Sequence, residues 1–523
     1  QFKEKKKVIV LGSGTYRIGS SVEFDWSTMH MVWSLKARKF DEVIIINCNP
    51  ETVSTDYDMS DKLYFEEIKL ERILDINDKE KSEGIVTSVG GQTPNNLAPK
   101  IGEKGIKIIG SNSESIDKAE NRSKFSKLLD SLGIAQPEWE QFSSMNDVNI
   151  FVKRVGYPIL VRPSYVLSGA AMKVIWTSKD LEKFLIKATT ISPEYPVVIS
   201  KFIQDALEIE VDAVSNGDEV YIGAIIEHID KAGIHSGDAV MVIPPYTIKQ
   251  SIKDKIVEYT EKIAKSLSVK GPFNIQFLVK DNNVLVIECN LRASRSMPFV
   301  SKVKGINLID IAAESMINNK LPINQVKKEK ELIGIKVPQF SFMQIEGADP
   351  HLGVEMQSTG EAAAISEEFN DALIKAFQSA GYKIPKENGN ILITIGGEKN
   401  KKRILPIVKK LQETGYIIFS TKHTGEYLKE NKFDNIKILY KMDEIEKKPN
   451  LQDFLVERKF DLIINIPSTE TFSKYKHILE DEYSIRRKAV ELGIPVMTTL
   501  ETAQAFGNAL KWLKDKKSNA ELK

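Results

Sequence analysis

The stretch 284-VLVIECNLRASRS-296 decides the reading of this sequence. It begins apolar enough for a buried strand, yet Glu288, Asn290 and Arg292 then occupy alternate positions, with Arg295 close behind. Residues i, i+2 and i+4 of a strand share one face. A carboxylate, an amide and a guanidinium therefore leave the strand end together. Burying such groups is costly unless something pairs with them, and a metal–phosphate substrate would supply the pairing. Upstream, 273-FNIQFLV-279 reads as the preceding strand, joined through the turn 280-KDNN-283. Pairing within that hairpin sets Gln276 beside Glu288 or Asn290. Oxygen donors without His or Cys suit Mg²⁺ or Mn²⁺. Arg292 and Arg295 could then neutralise a transferring phosphoryl group or an anionic acceptor. A structural ion pair between Glu288 and Arg292 is the competing account of the same pattern.

Outward from the hairpin, the chain changes rhythm twice. Residues 7–110 alternate apolar runs (VIVLG, VIIINC, IVTSVGG, KIIG) with amphipathic stretches, the pattern of a parallel α/β sheet. A helix is expected over 114-ESIDKAENRSKFSKLLDSLG-133, capped by its glycine. From about 134 to 320 hairpin-like pairs take over (PILVRP against MKVIW, then VVIS, EIEVDAV and YIGAII), with a long helix near 249–267, which is α+β. A connecting region, 321–386, holds the turn-rich GADPHLG and one amphipathic helix. From 387 the α/β rhythm resumes through ILITIGG, YIIFST, IKILYK, DLIINIP and PVMTT. The expected domains are 1–115, 116–320, 321–386 and 387–523.

Bulk properties narrow the class. At 523 residues three or four domains are expected, and 42% hydrophobic with 28% charged residues is ordinary for a soluble globular chain. A net charge of +1 gives no pull toward nucleic acid or membranes, and no run approaches the roughly 18 apolar residues of a membrane helix. Two cysteines, Cys48 and Cys289, form no disulfide or zinc pattern, so a reducing compartment is expected. QFKEKKKVIVLGSG runs straight into a strand without a cleavage signal, and the expected location is cytoplasmic or organellar. Since the first residue is Gln1, the chain is expected to be a piece of something longer.

Four further motifs carry polar chemistry. In 12-GSGTYRIG-19 the glycine spacing breaks at Arg17, with Gly19 the next glycine, and the second strand ends in Asn47 rather than an acid. That favours a tight strand-to-helix turn over a dinucleotide site. In 161-VRPSYVLSGAAMKV-174, Arg162 precedes a small-residue loop that could lay backbone N–H groups on phosphates, although many hairpins carry Ser and Gly. In 200-SKFIQDALEIEVDAV-214, Glu208, Glu210 and Asp212 alternate after a short linker; this is either a one-sided polar strand or a hinge serving a nucleobase and ribose. In 232-AGIHSGDA-239, His235 stands between glycines in a loop, either as a ligand contact or as a satisfied structural histidine.

Taken in order, RPSYVLSG, GIHSGD, FNIQF and IECNLRASRSMPFVSK resemble the ATP-grasp core of carbamoyl phosphate synthetase, in the carboxy-terminal half of its large subunit. NCNPETVSTDYDMSDKLYFE and GGQTPNNLA resemble the same family's pre-ATP-grasp domain, and VEMQSTGE with the second α/β region resembles its methylglyoxal-synthase-like allosteric domain. The wording lies closer to the fused eukaryotic pyrimidine-pathway type than to other branches. The implied fold is α/β: a Rossmann-like pre-ATP-grasp domain, an α+β ATP-grasp core and a parallel C-terminal domain.

The resemblance implies ATP-dependent phosphorylation of carbamate to carbamoyl phosphate, for pyrimidine or arginine pathways. It implies that Arg162, Lys201, Ile203, Glu208 and the segment Gly233, Ile234, His235, Ser236 surround ATP, with backbone atoms reading adenine at Lys201 and Ile203. Gln276, Glu288 and Asn290 would hold two divalent ions, Mg²⁺ or Mn²⁺, with Gln276 and Glu288 also meeting the nucleotide. Arg292 and Arg295 would face carbamate and the migrating phosphoryl group. Some relatives need K⁺, and that requirement stays open. These residues contain no stretch resembling the glutaminase or the half that activates bicarbonate, so a partner delivering carbamate through an internal passage is implied, in the same chain or as separate subunits. Thr421, Thr424 and Asn465 resemble an effector loop at a helix N-terminus, a natural anion site, although a helix cap alone would also explain them. The urea-cycle type, which would be mitochondrial and reads an acylated glutamate, carries tryptophan where this chain has Tyr440. A homo-oligomer is compatible with the sequence, and no nucleic-acid or membrane partner is expected. Two other readings stand beside this one: another ATP-grasp carboxylate ligase, or a regulatory half that binds nucleotide without turnover.

Overall fold

The computed structural model describes residues 5–18, 22–38, 40–142, 145–163, 172–191, 197–321, 332–467 and 476–521. The chain divides into two compact units. The first comprises Gln1–Trp139, Ile203–His228 and Val242–Leu332; the second comprises Glu140–Phe202, Ile229–Met241 and Ile333–Lys523.

The first unit opens with a parallel sheet in the order Lys62–Phe65, Glu42–Asn47, Lys7–Leu11, Ile85–Val86. Val8 to Leu11 and Val43 to Ile46 are fully buried, as expected when helices cover both faces of a parallel sheet. KIIG forms no strand; Ile108 makes only an isolated bridge to Ile85. KLYF, unmarked in the sequence reading, supplies an edge strand with half its residues exposed. The glycine-rich turn is shaped by close packing: a Cβ on Gly12 would fall 2.5 Å from the Asn47 side chain, and Gly14 has φ +72°. Gly14 N donates to Asn47 Oδ1 at 2.9 Å. The expected helix over 114–133 is two helices, Ser113–Glu120 and Arg122–Ser131, parted by Asn121, whose extended backbone and side-chain oxygen cap the second.

The same unit contains the antiparallel strands Asn283–Asn290, Lys270–Lys280 and Leu207–Asn216 side by side. Phe273, Ile275 and Phe277 alternate into an apolar core with Ile209, Val211 and Ala213, which leaves Asn274 and Gln276 on the opposite face. The Asn283–Asn290 strand contains the local decision. Its register steps from Gln276↔Glu288 to Phe277↔Val286, so Ile287 is a bulge residue. Val284 and Val286 join the core before the bulge, and Cys289 and Leu291 join it after. In an unbroken strand Val284, Val286, Glu288 and Asn290 would all share one face; the bulge at Ile287 turns Glu288 and Asn290 away from the valines. The Ile287 carbonyl accepts from Arg122 Nη1. Asp281 and Asn282, at φ +51° and +63°, make the connecting turn, the two-residue geometry favoured by strand twist.

In the second unit, Ile159–Pro163 pairs antiparallel with Lys173–Ile175 and with Val197–Lys201. The loop residues 164–171, on which the phosphate-contact expectation falls, lie outside the described residues. Strands Ile333–Gln339 and Gly360–Ser366 pair antiparallel; sequence reading gave this region one helix, observed as Phe369–Ser379. The sequence does not mark these strands, because buried Lys336 and the partly exposed GEAAAIS break the usual apolar pattern. The C-terminal parallel sheet runs Ile436–Leu439, Ile417–Thr421, Asn390–Ile395, Leu462–Ile466, Val496–Met497. Its core includes Leu392, Phe419, Leu439 and Ile463. Among the described residues no helix is long and apolar enough to cross a membrane.

Candidate active site

The three adjacent strands of the first unit present two polar rows. Glu288, Gln276 and Glu210 stand opposite one another in one row, and Asn290, Asn274 and Asp212 in the next. Of the two placements open in the sequence, Gln276 takes the one against Glu288. Gln276, Glu288, Asn290 and Arg292 remain partly exposed, while Glu210, Asp212 and Asn274 are buried. Asn290 Nδ2 donates to Glu288 Oε1 at 3.0 Å, and Asn290 Oδ1 accepts from Arg292 Nη2 at 3.2 Å. Rotating that amide by 180° would turn its oxygen toward Glu288.

Arg292 is held by groups far away in sequence. Its Nε and Nη2 donate to Gln92 Oε1 at 3.1 and 2.9 Å, and its guanidinium lies 5.8 Å from the Phe24 ring centre. Gln92 Nε2 passes the connection to Glu120 Oε2 at 3.1 Å, while Asn95 donates to Oε1 at 2.8 Å. Desolvation pulls the Arg292 guanidinium below its ordinary value, opposed by the charges of Glu120, Glu288 and Asp212. Arg295 Nη2 lies 3.3 Å from buried Glu23 Oε1. These partners were not assigned roles from the sequence. Gln92 sits 200 positions from Arg292, and no local signal links them.

Beneath this surface, Asp212 accepts from Asn274, Ser294 and Ser296. Burial and the neighbouring Glu210 raise its carboxyl to about 6, against the pull of those hydrogen bonds. Glu210 in turn meets His228 Nε2 at 3.1 Å. Glu208, paired across the sheet with Leu278, is also buried.

The other expected nucleotide contacts are Ile203, half-buried in the first unit, and Arg162, Lys201 and residues 233–236 in the second. Lys201 Nζ donates to the carbonyls of Gly156 and Tyr157, each at 3.1 Å. Arg162 Nε is buried without a hydrogen-bond partner among the described residues. His235 Nδ1 accepts from Gly237 N at 3.0 Å, and its backbone N–H donates to Gly353 O at 2.7 Å. Gly233, at φ +114°, packs against Phe202, and Ile234 and Ser236 are half-buried beside it.

A separate cavity of about 940 Å³ opens in the C-terminal part of the second unit, lined in part by Thr394, Lys401, Thr421, Thr424, Lys441 and Glu482. Thr421 caps the helix Lys422–Glu430 by position, with no side-chain cap bond. Buried Thr424 is engaged: its Oγ1 accepts from Ile395 N at 3.1 Å. Asn465 lies behind the lining, donating to Thr394 Oγ1 at 2.6 Å and accepting from Arg486 Nη1 at 2.8 Å. Arg486 forks onto Asp349 with two bonds of 2.6 Å. Burial raises Glu482 to about 7, with Arg486 opposing and Asp481 and Asp349 adding to the rise.

Among the described residues no group of three or more His, Cys, Asp or Glu could hold a metal ion. Gln276, Glu288 and Asn290 offer a different donor set, one carboxylate and two amides. That set fits a hard divalent cation which takes its remaining ligands from phosphate and water.

The fold is shared with enzymes of the ATP-grasp class. The biotin carboxylase–β,γ-ATP complex of Campylobacter jejuni superposes with a TM-score of 0.56 at 16% identity, over 72% of this chain and 91% of that one. N5-carboxyaminoimidazole ribonucleotide synthetase from Thermotoga maritima gives 0.53 at 16% identity, over 72% and 98%. At these identities the likeness establishes a shared fold.

Sequence relatives narrow the class. Residues 4–118 match the carbamoyl phosphate synthase preATP-grasp domain, 121–324 the carbamoyl-phosphate synthase L chain ATP binding domain, and 403–498 the MGS-like domain. The multifunctional protein pyr-3 of Neurospora crassa is 46% identical over 517 residues, 98% of this chain and 28% of that protein. The multifunctional protein URA2 of Saccharomyces cerevisiae is 46% identical over 96% of this chain and 23% of that protein. The mitochondrial carbamoyl-phosphate synthase [ammonia] of Homo sapiens is 43% identical over 96% and 34%. The chain belongs to the carbamoyl phosphate synthase large-chain family, and it spans between 23% and 34% of the length of these relatives.

Proposed function

We propose that this chain phosphorylates carbamate at the expense of ATP, giving carbamoyl phosphate and ADP. The observation that carries the reading is the Glu288–Gln276 pair with Asn290 beside it and Arg292 and Arg295 on the adjoining turn. Oxygen donors and fixed cations are what an anionic phosphoryl transfer needs. A carbamate oxygen attacks the γ-phosphorus and ADP leaves with the broken P–O electron pair, so the chain need supply no nucleophile. Its residues position the reactants and offset charge. Gln276, Glu288 and Asn290 would hold divalent ions, Mg²⁺ or Mn²⁺, which when bound neutralise phosphate charge. Arg292, steadied by Gln92, and Arg295, steadied by Glu23, would meet the acceptor and the migrating group. Arg162, Lys201, Ile203, Glu208 and residues 233–236 would contact ATP.

The proposal extends to the source of carbamate and to the cavity of the second unit. Carbamate would come from a bicarbonate-activating half and a glutaminase, carried in a longer chain or in partner subunits. The cavity around Thr421 and Thr424 would take a small-molecule effector, its anionic group at the start of helix Lys422–Glu430 and near Lys401. Asn465, one layer behind, would support that wall through Thr394.

The reaction is testable in reverse, which avoids unstable carbamate. Purified chain given MgADP and carbamoyl phosphate is expected to form ATP in a coupled assay. MgADP binding without ATP formation would instead favour a regulatory half that binds nucleotide without turnover.

A further inference from the structure

Asp212 is not among the expected substrate contacts, yet it holds the segment that carries both arginines. It is fully buried on strand Leu207–Asn216. Its Oδ1 accepts from Asn274 Nδ2 at 2.8 Å and from Ser294 Oγ at 2.6 Å, while Oδ2 accepts from Ser296 Oγ at 2.7 Å. Ser294 Oγ also accepts from Met297 N at 3.1 Å, where the helix Met297–Lys304 starts. Ala293 N donates to the Ser88 carbonyl at 2.7 Å. The turn is thus pinned at residues 293, 294 and 296. The interleaved Arg292 and Arg295 take separate partners, Gln92 and Glu23.

The residue type matters. Three donors converge on two oxygens, which an ionised carboxylate with about four lone-pair sites can accept together. An amide there would offer one oxygen and bring two donors of its own, so at least one serine would have to reverse or let go. Glu210 cannot take over, because its Oε2 stands farther off, 3.4 Å from Ser296 Oγ and 3.3 Å from Asn274 Nδ2, and its Oε1 is engaged by His228.

We infer that Asp212 is a positioning residue for phosphoryl transfer: by clamping Ser294 and Ser296 it fixes where the Arg292 and Arg295 guanidinium groups meet the anionic acceptor. The inference rests on the carbamate-phosphorylating reading. It also explains why Ser294 and Ser296, whose hydroxyls are turned to Asp212, alternate with the arginines in the sequence.

The test compares the wild-type chain, Asp212→Asn, the double variant Ser294→Ala/Ser296→Ala and the triple variant that combines all three substitutions, in reverse ATP formation and by calorimetric titration of MgADP and carbamoyl phosphate. In Asp212→Asn, kcat is expected to fall at least tenfold and the carbamoyl phosphate KM to rise at least fivefold. The KM and Kd for MgADP should stay within about threefold. The triple variant should be no worse than the double, since both remove the same clamp. A residue needed only for stability would move the melting temperature without splitting the two substrates. Wild-type kinetics in Asp212→Asn, or parallel loss of both ligands, would overturn the inference. Should the wild-type chain make no ATP, the functional reading fails by itself. Titration then still decides the clamp, because unchanged carbamoyl phosphate affinity in Asp212→Asn counts against it.

Discussion

Glu482 makes a quantitative prediction about pH. It is only 8% exposed and lines the large cavity, and its Oε2 has no hydrogen-bond partner among the described residues. Burial raises its pKa from 4.5 to about 7 despite Arg486. A raised carboxyl binds its proton more tightly in the folded chain than in the unfolded one. The stability it supports is therefore full below about 4.5, falls as pH rises through the window from 4.5 to 7, and is lost above that. At 1.36 kcal/mol per pK unit, the full change is about 3 kcal/mol. Glu482→Gln keeps the shape and removes the titration, so any cost of its amide is independent of pH. Urea unfolding of both proteins at pH 4.5, 6 and 8 isolates the residue, because other groups cancel in the difference. The variant should gain about 3 kcal/mol relative to wild type between pH 4.5 and pH 8. A difference that stays within about 0.5 kcal/mol across the window would refute the reasoning, since a carboxyl titrating over that interval must change it several times more.

Other perturbations test the fold that aims the site. Deleting Ile287 removes the bulge residue but leaves Gln276 opposite Glu288 and Phe277 opposite Val286, so that variant should fold and keep its urea midpoint near wild type. Deleting Cys289 instead drives Asn290 and Arg292 into the core phase and should abolish soluble expression; similar behaviour of the two deletions would contradict the register. Phe277→Ala, in a fully buried position, should cost about 3–5 kcal/mol in urea unfolding.

Much of the architecture is visible in the sequence, because parallel strands buried on both faces are written as apolar runs. The Glu288, Asn290, Arg292 alternation likewise marks a real polar face. The reason for that face is not local. Val284 and Val286 share the parity of Glu288, and only the pairing register reveals that Ile287 separates the two phases. The break at Asn121 was hidden because both flanking segments have helical patterning and the residue works through its backbone angles. Gln92, Glu120 and Glu23 come to the arginines from elements remote in sequence. Asp212 appeared in a polar alternation, but its serine partners lie more than 80 positions on. The sequence could mark Thr421 and Thr424 as a helix start; it could not show that Thr424 spends its oxygen on Ile395 N.

The central claim is that the Glu288 row supports phosphoryl transfer between carbamate and ATP. Its most direct test is ATP formation from carbamoyl phosphate and MgADP by wild-type chain and Glu288→Gln side by side, with folding checked by circular dichroism. The account predicts ATP from the wild type and at least a hundredfold loss, about 2.7 kcal/mol of transition-state stabilisation, in an equally folded variant. Equal rates in the two proteins would contradict it.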